Sequence, residues 1–283
     1  MKVKTYLITG ANRGIGKGLV EEFMKQNDPM KSIILASRCK DKGEKAYQEI
    51  ISKYSDSQTK LEHIKLDIEN LTDVRLAQNY IQNKYGYLNV LINNAGYLNR
   101  NPGKSPNERV EDIIKTFSIN FFSQVLLTSS LLSLIKASTK YDQSRSQIMF
   151  VSSLVGKKSF KDENLSKEFD NANLVKLEQL YNRYIEDTRS GNFDKWDYQW
   201  VKDFHCYGPS KTFLNFYMKD LSQQLLQDKI MVNTFNPGWV KTDMGGSKAP
   251  LTVEQGCRTA LFLDSLTEFK TGEVYENRRV VGF

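Results

Sequence analysis

The 283-residue chain carries 40 Lys and Arg against 33 Asp and Glu, a formal net charge of +7, with 40% hydrophobic and 26% charged residues. That length fits one large domain or two small ones and can bury a real core, and the composition is that of an ordinary soluble globular protein. The basic residues are scattered without a block of five or six, so a mildly basic solvated surface is expected and no nucleic-acid partner.

The N-terminus reads Met-Lys-Val-Lys and enters a strand at once, which leaves no room for a signal peptide. Lys4 to Thr9 is a buried strand, followed by a glycine loop from Gly10 to Gly16 and a helix-period stretch at Leu19, Val20, Phe23 and Met24. Ser32 to Ser37 is a second strand, and Ala46, Ile50 and Ile51 mark a second helix. Leu61 to Leu66 forms a third strand ending at Asp67-Ile68. Val74, Ala77 and Ile81 suggest a helix, Leu88 to Ile92 a fourth strand, Ile113 to Leu134 a long helical region and Gln147 to Val151 a fifth strand.

The segment 157–206 interrupts this rhythm. It holds Leu174, Leu177, Leu180, Tyr181, Tyr184 and Ile185 at helical spacing, then alternating Trp196, Tyr198 and Trp200, and reads as a packed helical insertion. A helix from Tyr207 through Leu225, a strand at Ile230 to Phe235 and a last strand near Val274-Tyr275 complete the pattern. Strands alternating with helices, several of them continuously apolar, predict an α/β fold: a doubly wound parallel sheet of Rossmann type with helices on both faces. No repeat or linker divides it, so one domain over residues 1–283 is expected. No apolar run approaches the roughly 20 residues that span a bilayer. Cys39, Cys206 and Cys257 are isolated, which suits the cytoplasm and suggests no metal site.

Four stretches carry chemistry. In Thr9-Gly10-Ala11-Asn12-Arg13-Gly14-Ile15-Gly16, glycines between a strand and a helix let the backbone approach a pyrophosphate at a helix N-terminus. The second strand ends in Ser37-Arg38, with no acid before Asp41. Arg38 and Arg13 can pair with a 2′-phosphate, which favours NADP(H) over NAD. Ser152-Ser153 follows the fifth strand. Tyr207 and Lys211 stand four apart, so on a helix they share one face, where a neighbouring cation favours the phenolate and lowers the phenol's pKa.

Together with Asp67, Asn93-Asn94-Ala95-Gly96, Asn120 and Pro237-Gly238, these stretches resemble the short-chain dehydrogenase/reductase family over nearly the whole chain. Within it the run Pro237 to Met244 and the triplet Glu186-Asp187-Thr188 look like the cytosolic monomeric NADPH-dependent carbonyl reductases. The resemblance implies that Tyr207 protonates a carbonyl oxygen, that Lys211 lowers its pKa and binds the nicotinamide ribose, and that Ser153, the second of its pair, hydrogen-bonds the same oxygen. Asn120 would hold a water that links Lys211 to solvent. Gly10, Asn12, Arg13, Gly14, Ile15, Gly16, Arg38, Asp67, Ile68, Asn94, Ala95, Gly96, Pro237, Gly238, Val240 and Thr242 would bind the cofactor, and Trp239 and Met244 would face the substrate. Ser210 reads as a packing or helix-face hydroxyl, His205 and Cys206 as pocket rim, and His63 as strand surface.

The interval between Ser153 and Tyr207 is longer than in most of that family. In the carbonyl reductases resembled here, an extra helical segment covers the face that otherwise forms a dimer contact, so a monomer is expected. The implied activity is NADPH-dependent reduction of a small aldehyde, ketone or quinone. The rivals are an alcohol or steroid dehydrogenase of the same family and a non-catalytic NADPH-binding sensor.

Overall fold

The computed structural model describes residues 3–101, 103–140, 146–158, 160, 162–196 and 206–282. An eight-stranded sheet runs in the order β3-β2-β1-β4-β5-β6-β7-β8. Its strands are β1 (Lys4–Ile8), β2 (Lys31–Ser37), β3 (Lys60–Lys65), β4 (Val90–Asn93), β5 (Gln147–Val151), β6 (Met231–Asn236), β7 (Val274–Glu276) and β8 (Arg279–Val281). All neighbours pair in parallel except β7 and β8, which are antiparallel. The doubly wound sheet is therefore as expected, while the antiparallel edge strand, only three residues long, was not anticipated.

Alternate residues of each strand enter opposite cores, as the pleat requires. Leu7, Ile34, Leu91, Ile148 and Phe150 pack under α3 (Leu71–Lys84), α4 (Pro106–Phe117), α5 (Ser123–Ser138) and α8 (Tyr207–Gln224). Ile8, Ile33, Leu35, Ile92 and Met149 pack under α1 (Gly14–Lys25), α2 (Lys40–Lys53) and α9 (Val253–Ser265). Caps define the helix starts: Asn70 accepts from the amides of Thr72 and Asp73, and Ser105 with Glu108 and Thr252 with Gln255 form capping boxes. Strand order reverses between β2-β1 and β4, which opens a crevice at the carboxyl ends of β1 and β4.

The long helical region expected from Ile113 to Leu134 is present and extends over Pro106–Ser138. α4 and α5 are joined by a π turn at Ser118–Phe122, whose closing bond runs from the Ser123 amide to the Ser118 carbonyl. The rod Pro106–Ser138 is 33 residues long and, by length and composition, apolar enough to cross a bilayer, contrary to the sequence expectation. Its polar residues Asn120, Gln124 and Thr128 are fully buried; Thr128 accepts from Asn93 at the end of β4, and Asn120 and Gln124 donate to the carbonyls of Tyr97 and Ala95 just after it, which packs the rod onto the sheet.

The insertion contains α6 (Glu163–Glu168) and α7 (Leu174–Arg189), followed by a 3₁₀ turn at Phe193–Trp196. Its stripe is packing, as expected: Leu177, Leu180, Tyr184 and Ile185 are buried. Aromatic contacts anchor it, with Tyr181 5.0 Å from Phe117 and Phe169 5.0 Å from Phe213 between ring centroids. Trp196 stacks 4.6 Å from Tyr184, and its indole N–H donates to Asp187 at 2.9 Å. Trp196 thus closes a 3₁₀ turn; Tyr198, Trp200 and His205 lie outside the described residues.

Candidate active site

The glycine loop is shaped by close packing against the loop after β4. Asn94 Nδ2 donates to the carbonyls of Thr9 (2.7 Å) and Gly10 (3.3 Å), and Thr9 Oγ1 accepts from the amides of Asn94 and Ala95. A Cβ on Gly16 would lie 2.5 Å from Asn94 Nδ2 and 2.8 Å from Ala11 Cα, so only glycine fits there. The first turn of α1 opens into this cradle with no side-chain cap on its amides, an arrangement that suits a pyrophosphate. Asn12 and Ile15 stand half-buried on its wall.

At the end of β2, Arg38 is exposed and makes no hydrogen bond or ion pair among the described residues, so its guanidinium is available to a phosphate. Arg13, by contrast, is engaged: its Nη1 lies 2.7 Å from Asp243 Oδ2, on the loop after β6. Asp67 accepts from the Glu69 amide at 3.1 Å, and Ile68 is buried beside it. His63 departs from expectation. Its side chain is buried, with Nε2 3.2 Å from Ser37 Oγ and Nδ1 3.4 Å from Glu44, because α2 packs over it.

Ser153, Tyr207 and Lys211 converge at the carboxyl end of β5. The Ser153 hydroxyl hydrogen-bonds the Tyr207 phenol, while Ser152 is buried and points away, donating to Asn215 Oδ1 at 2.7 Å. The second serine of the pair is therefore the one at the site. Lys211 is 3% exposed; its Nζ donates to the Val151 carbonyl at 2.8 Å and stands 5.7 Å from the centre of the Tyr207 ring. Gly96 borders the same Nζ, since a Cβ there would lie 3.9 Å from it.

The electrostatics depart from the sequence expectation. Burial pushes the Tyr207 phenol up to about 12, and the bond from Ser153 works in the opposite direction. Burial also drives the Lys211 ammonium down to about 7. Desolvation penalises the charged form of both groups and sets the direction of both shifts in the protein alone. Asn120 is fully buried. Its Oδ1 accepts from the Tyr97 amide (2.7 Å), and its Nδ2 donates to the Tyr97 carbonyl (2.9 Å) and to Ser210 Oγ (3.1 Å). Both protons of that amide are committed, while its oxygen keeps a second lone pair. Ser210 in turn donates to the Tyr207 carbonyl of its own helix at 2.7 Å and is buried. Cys206, expected at the rim, is 3% exposed; its sulfur accepts from Thr116 and burial raises its thiol pKa.

The loop after β6 closes the crevice. Asn236 Oδ1 accepts from the Gly238 amide at 3.0 Å beside Pro237, and Val240 is buried and pairs with Leu251. Thr242 meets the glycine loop, 3.4 Å from a Cβ built on Gly14. Trp239 donates to the Gly245 carbonyl at 2.8 Å, yet 54% of it is exposed, and Met244 is 38% exposed. Arg100, which the sequence reading missed, reaches from the loop after β4 to the carbonyls of Asp243 and Met244. No local pattern marks such a cross-loop bond. Among the described residues no cluster of His, Cys, Asp or Glu could hold a metal.

The family model for short chain dehydrogenases matches residues 4–164 and 199–251, leaving most of the insertion unmatched. Carbonyl reductase (NADPH) 1 of Bos taurus is 32% identical over 97% of this chain and 96% of its own length. The NADPH-bound carbonyl reductase from chicken fatty liver superposes with a TM-score of 0.74 at 25% identity, covering 100% of both chains. Salutaridine reductase from Papaver somniferum shares the fold, with a TM-score of 0.80 at 19% identity over 96% of this chain and 99% of its own.

Proposed function

The chain belongs to the short-chain dehydrogenase family, and from that premise we propose that it reduces an apolar aldehyde, ketone or quinone, with Tyr207 as proton donor. It is an NADPH-dependent short-chain oxidoreductase; the carbonyl substrate and the residue roles are our reading. One observation carries it: the Ser153 hydroxyl, the Tyr207 phenol and the buried Lys211 meet at the end of β5, beside a glycine cradle.

The cradle at Gly10, Asn12, Gly14, Ile15 and Gly16 fits a pyrophosphate, and the unpaired Arg38 fits a 2′-phosphate. Asp67 and Ile68 would border the adenine. Asn94 to Gly96 with Pro237, Gly238, Val240 and Thr242 would line the nicotinamide end. NADPH, when bound, supplies the hydride. Tyr207 Oη then gives its proton to the carbonyl oxygen. With its pKa near 12 the phenol is protonated throughout the neutral range and ready to act as an acid. Ser153 Oγ donates a hydrogen bond to the same oxygen as charge develops on it. Lys211 would bind the ribose hydroxyls, and once protonated it stabilises the phenolate left on Tyr207. Asn120 contributes by holding Tyr97 and Ser210 in place.

Trp239, Met244 and Leu154 expose apolar surface, Leu154 directly after Ser153, which favours an apolar or aromatic substrate. We read residues 1–283 as one catalytic domain and the 157–206 insertion as a cover for α4 and α8 that keeps the chain monomeric. Its three free thiols suit the cytoplasm. The test follows NADPH and NADH oxidation with a panel of quinones, aromatic aldehydes and ketones. NADPH-selective turnover supports the reading. Tight NADPH binding with turnover only of alcohols, in the oxidative direction, replaces it with a dehydrogenase, and binding without any turnover with a sensor.

A further inference from the structure

Ser153 has little of its own to hold it. It is half-exposed, in extended backbone (φ −156°, ψ 156°), and its side chain caps nothing in the 3₁₀ turn Leu154–Gly156 that follows. The restraint comes from α8. Ser152 Oγ donates to Asn215 Oδ1 at 2.7 Å, Asn215 Nδ2 donates to the Gly156 carbonyl at 3.0 Å, and Thr212 Oγ1 donates to that carbonyl at 3.1 Å. All four residues are buried. The turn lies directly on the helix, since a Cβ on Gly156 would fall 2.8 Å from Lys211 Cβ and 3.1 Å from the Lys211 carbonyl carbon.

An amide is the side chain that can accept from a hydroxyl with one end and donate to a carbonyl with the other. Asn215 uses both ends on the residues that flank Ser153. Asn is a poor choice for a helix interior, and a buried polar group such as Asn215 is costly unless bonded. A leucine would serve packing alone. About two helical turns separate Asn215 from Tyr207, with Lys211 between them on the same rigid helix.

We propose that Asn215 is a positioning residue that sets the Ser153 hydroxyl against Tyr207. This rests on the reading of Ser153 and Tyr207 given above. Asn215 touches neither substrate nor cofactor; it acts through the turn, where displacements well below 1 Å change rates severalfold.

The test is a double-mutant cycle on the full chain, read as single-turnover rates at saturating NADPH with one carbonyl substrate. Asn215→Ala is expected to lower the rate on the order of 10-fold, leaving the KM for NADPH within about twofold. In the Ser153→Ala background the same substitution changes the rate by less than about twofold, because the group it positions is gone. An equal loss in both backgrounds, or no loss in either, overturns the proposal. Ser153→Ala at the wild-type rate is a different failure, which removes the role of Ser153 itself. Should Asn215→Ala not fold, as judged by its thermal melt, Ser152→Ala breaks the same link from the other side. It must show the same background dependence, and a wild-type rate for Ser152→Ala overturns the proposal.

Discussion

Lys211 Nζ is tied to the Val151 carbonyl at 2.8 Å, and this bond pins the catalytic helix to the end of β5 at the expense of a buried cation. In the folded protein its pKa falls to about 7 from an ordinary 10.5, through burial. Between those two values the unfolded chain binds a proton that the folded chain does not, so stability rises with pH from about 7 to about 10.5. Below that window the penalty is complete, at most on the order of 5 kcal/mol. The cofactor-free Lys211→Met variant should therefore melt at a higher temperature than wild type at pH 7, with the difference closing towards pH 10.5, while turnover is lost. A melt at pH 7 equal to or below wild type would mean that burial of Lys211 carries no such cost.

Tyr207→Phe keeps the ring against Lys211 and removes only the phenol that Ser153 bonds. Turnover should fall by about 10²- to 10⁴-fold, the usual worth of a positioned acid. The dissociation constant for NADPH should stay within about twofold, because the glycine cradle and Arg38 are untouched. Stopped-flow reduction beside a fluorescence titration separates the two quantities. Retained turnover would remove Tyr207 from the chemistry.

The sheet, its doubly wound order and the glycine loop were legible because buried parallel strands read as apolar runs and Gly16 sits where Asn94 and Ala11 leave no space. The pairing of Ser153 with Tyr207 was legible from motif order. What escaped is non-local. Arg100 reaching Asp243 and Met244, and Asn215 reaching Ser152 and Gly156, are contacts between segments far apart in sequence, which periodicity does not register. The buried pair also defeated the pKa expectation. Tyr–Lys spacing predicts attraction, whereas the direction of the shift is set by how much water the fold removes from both. Asn120 was expected at the site by motif alone, and its bonds to Tyr97 and Ser210 emerge only once the π turn is in place.

Cofactor selectivity should divide between two arginines. Arg38 is unpaired, so Arg38→Asp puts a negative charge beside the 2′-phosphate and should weaken NADPH at least 10-fold while changing NADH by less than about twofold. Arg13 is shared with Asp243 in a pair whose side chains are 69% and 75% exposed, an interaction that solvent screens heavily. Asp243→Asn should free Arg13 and tighten NADPH modestly, with a smaller gain for NADH. Titrations at low and high salt measure both effects. Equal weakening of the two cofactors by Arg38→Asp would show that Arg38 does not read the phosphate.

The insertion provides the last test, because one fully packed ring, Trp196, holds its own segments together. Trp196 is 1% exposed, stacks on Tyr184, meets Phe160 edge-on at 5.9 Å and bonds Asp187. Trp196→Ala leaves a large cavity and removes one of the two donors to Asp187 Oδ2, Lys195 Nζ at 2.8 Å being the other, so about 3–5 kcal/mol of stability should be lost, nearly all of it through the cavity. Through Tyr181 and Tyr184 that insertion covers Phe117 on α4, and α4 packs directly on α8 through the edge-on contact of Phe117 with Phe213 at 4.9 Å. Wild type should scatter light as a species near 32.6 kDa at micromolar concentration. Loosening the cover should expose the aromatic face and raise the apparent mass of Trp196→Ala with concentration. A wild-type mass near twice 32.6 kDa would instead show that the insertion leaves a subunit interface open.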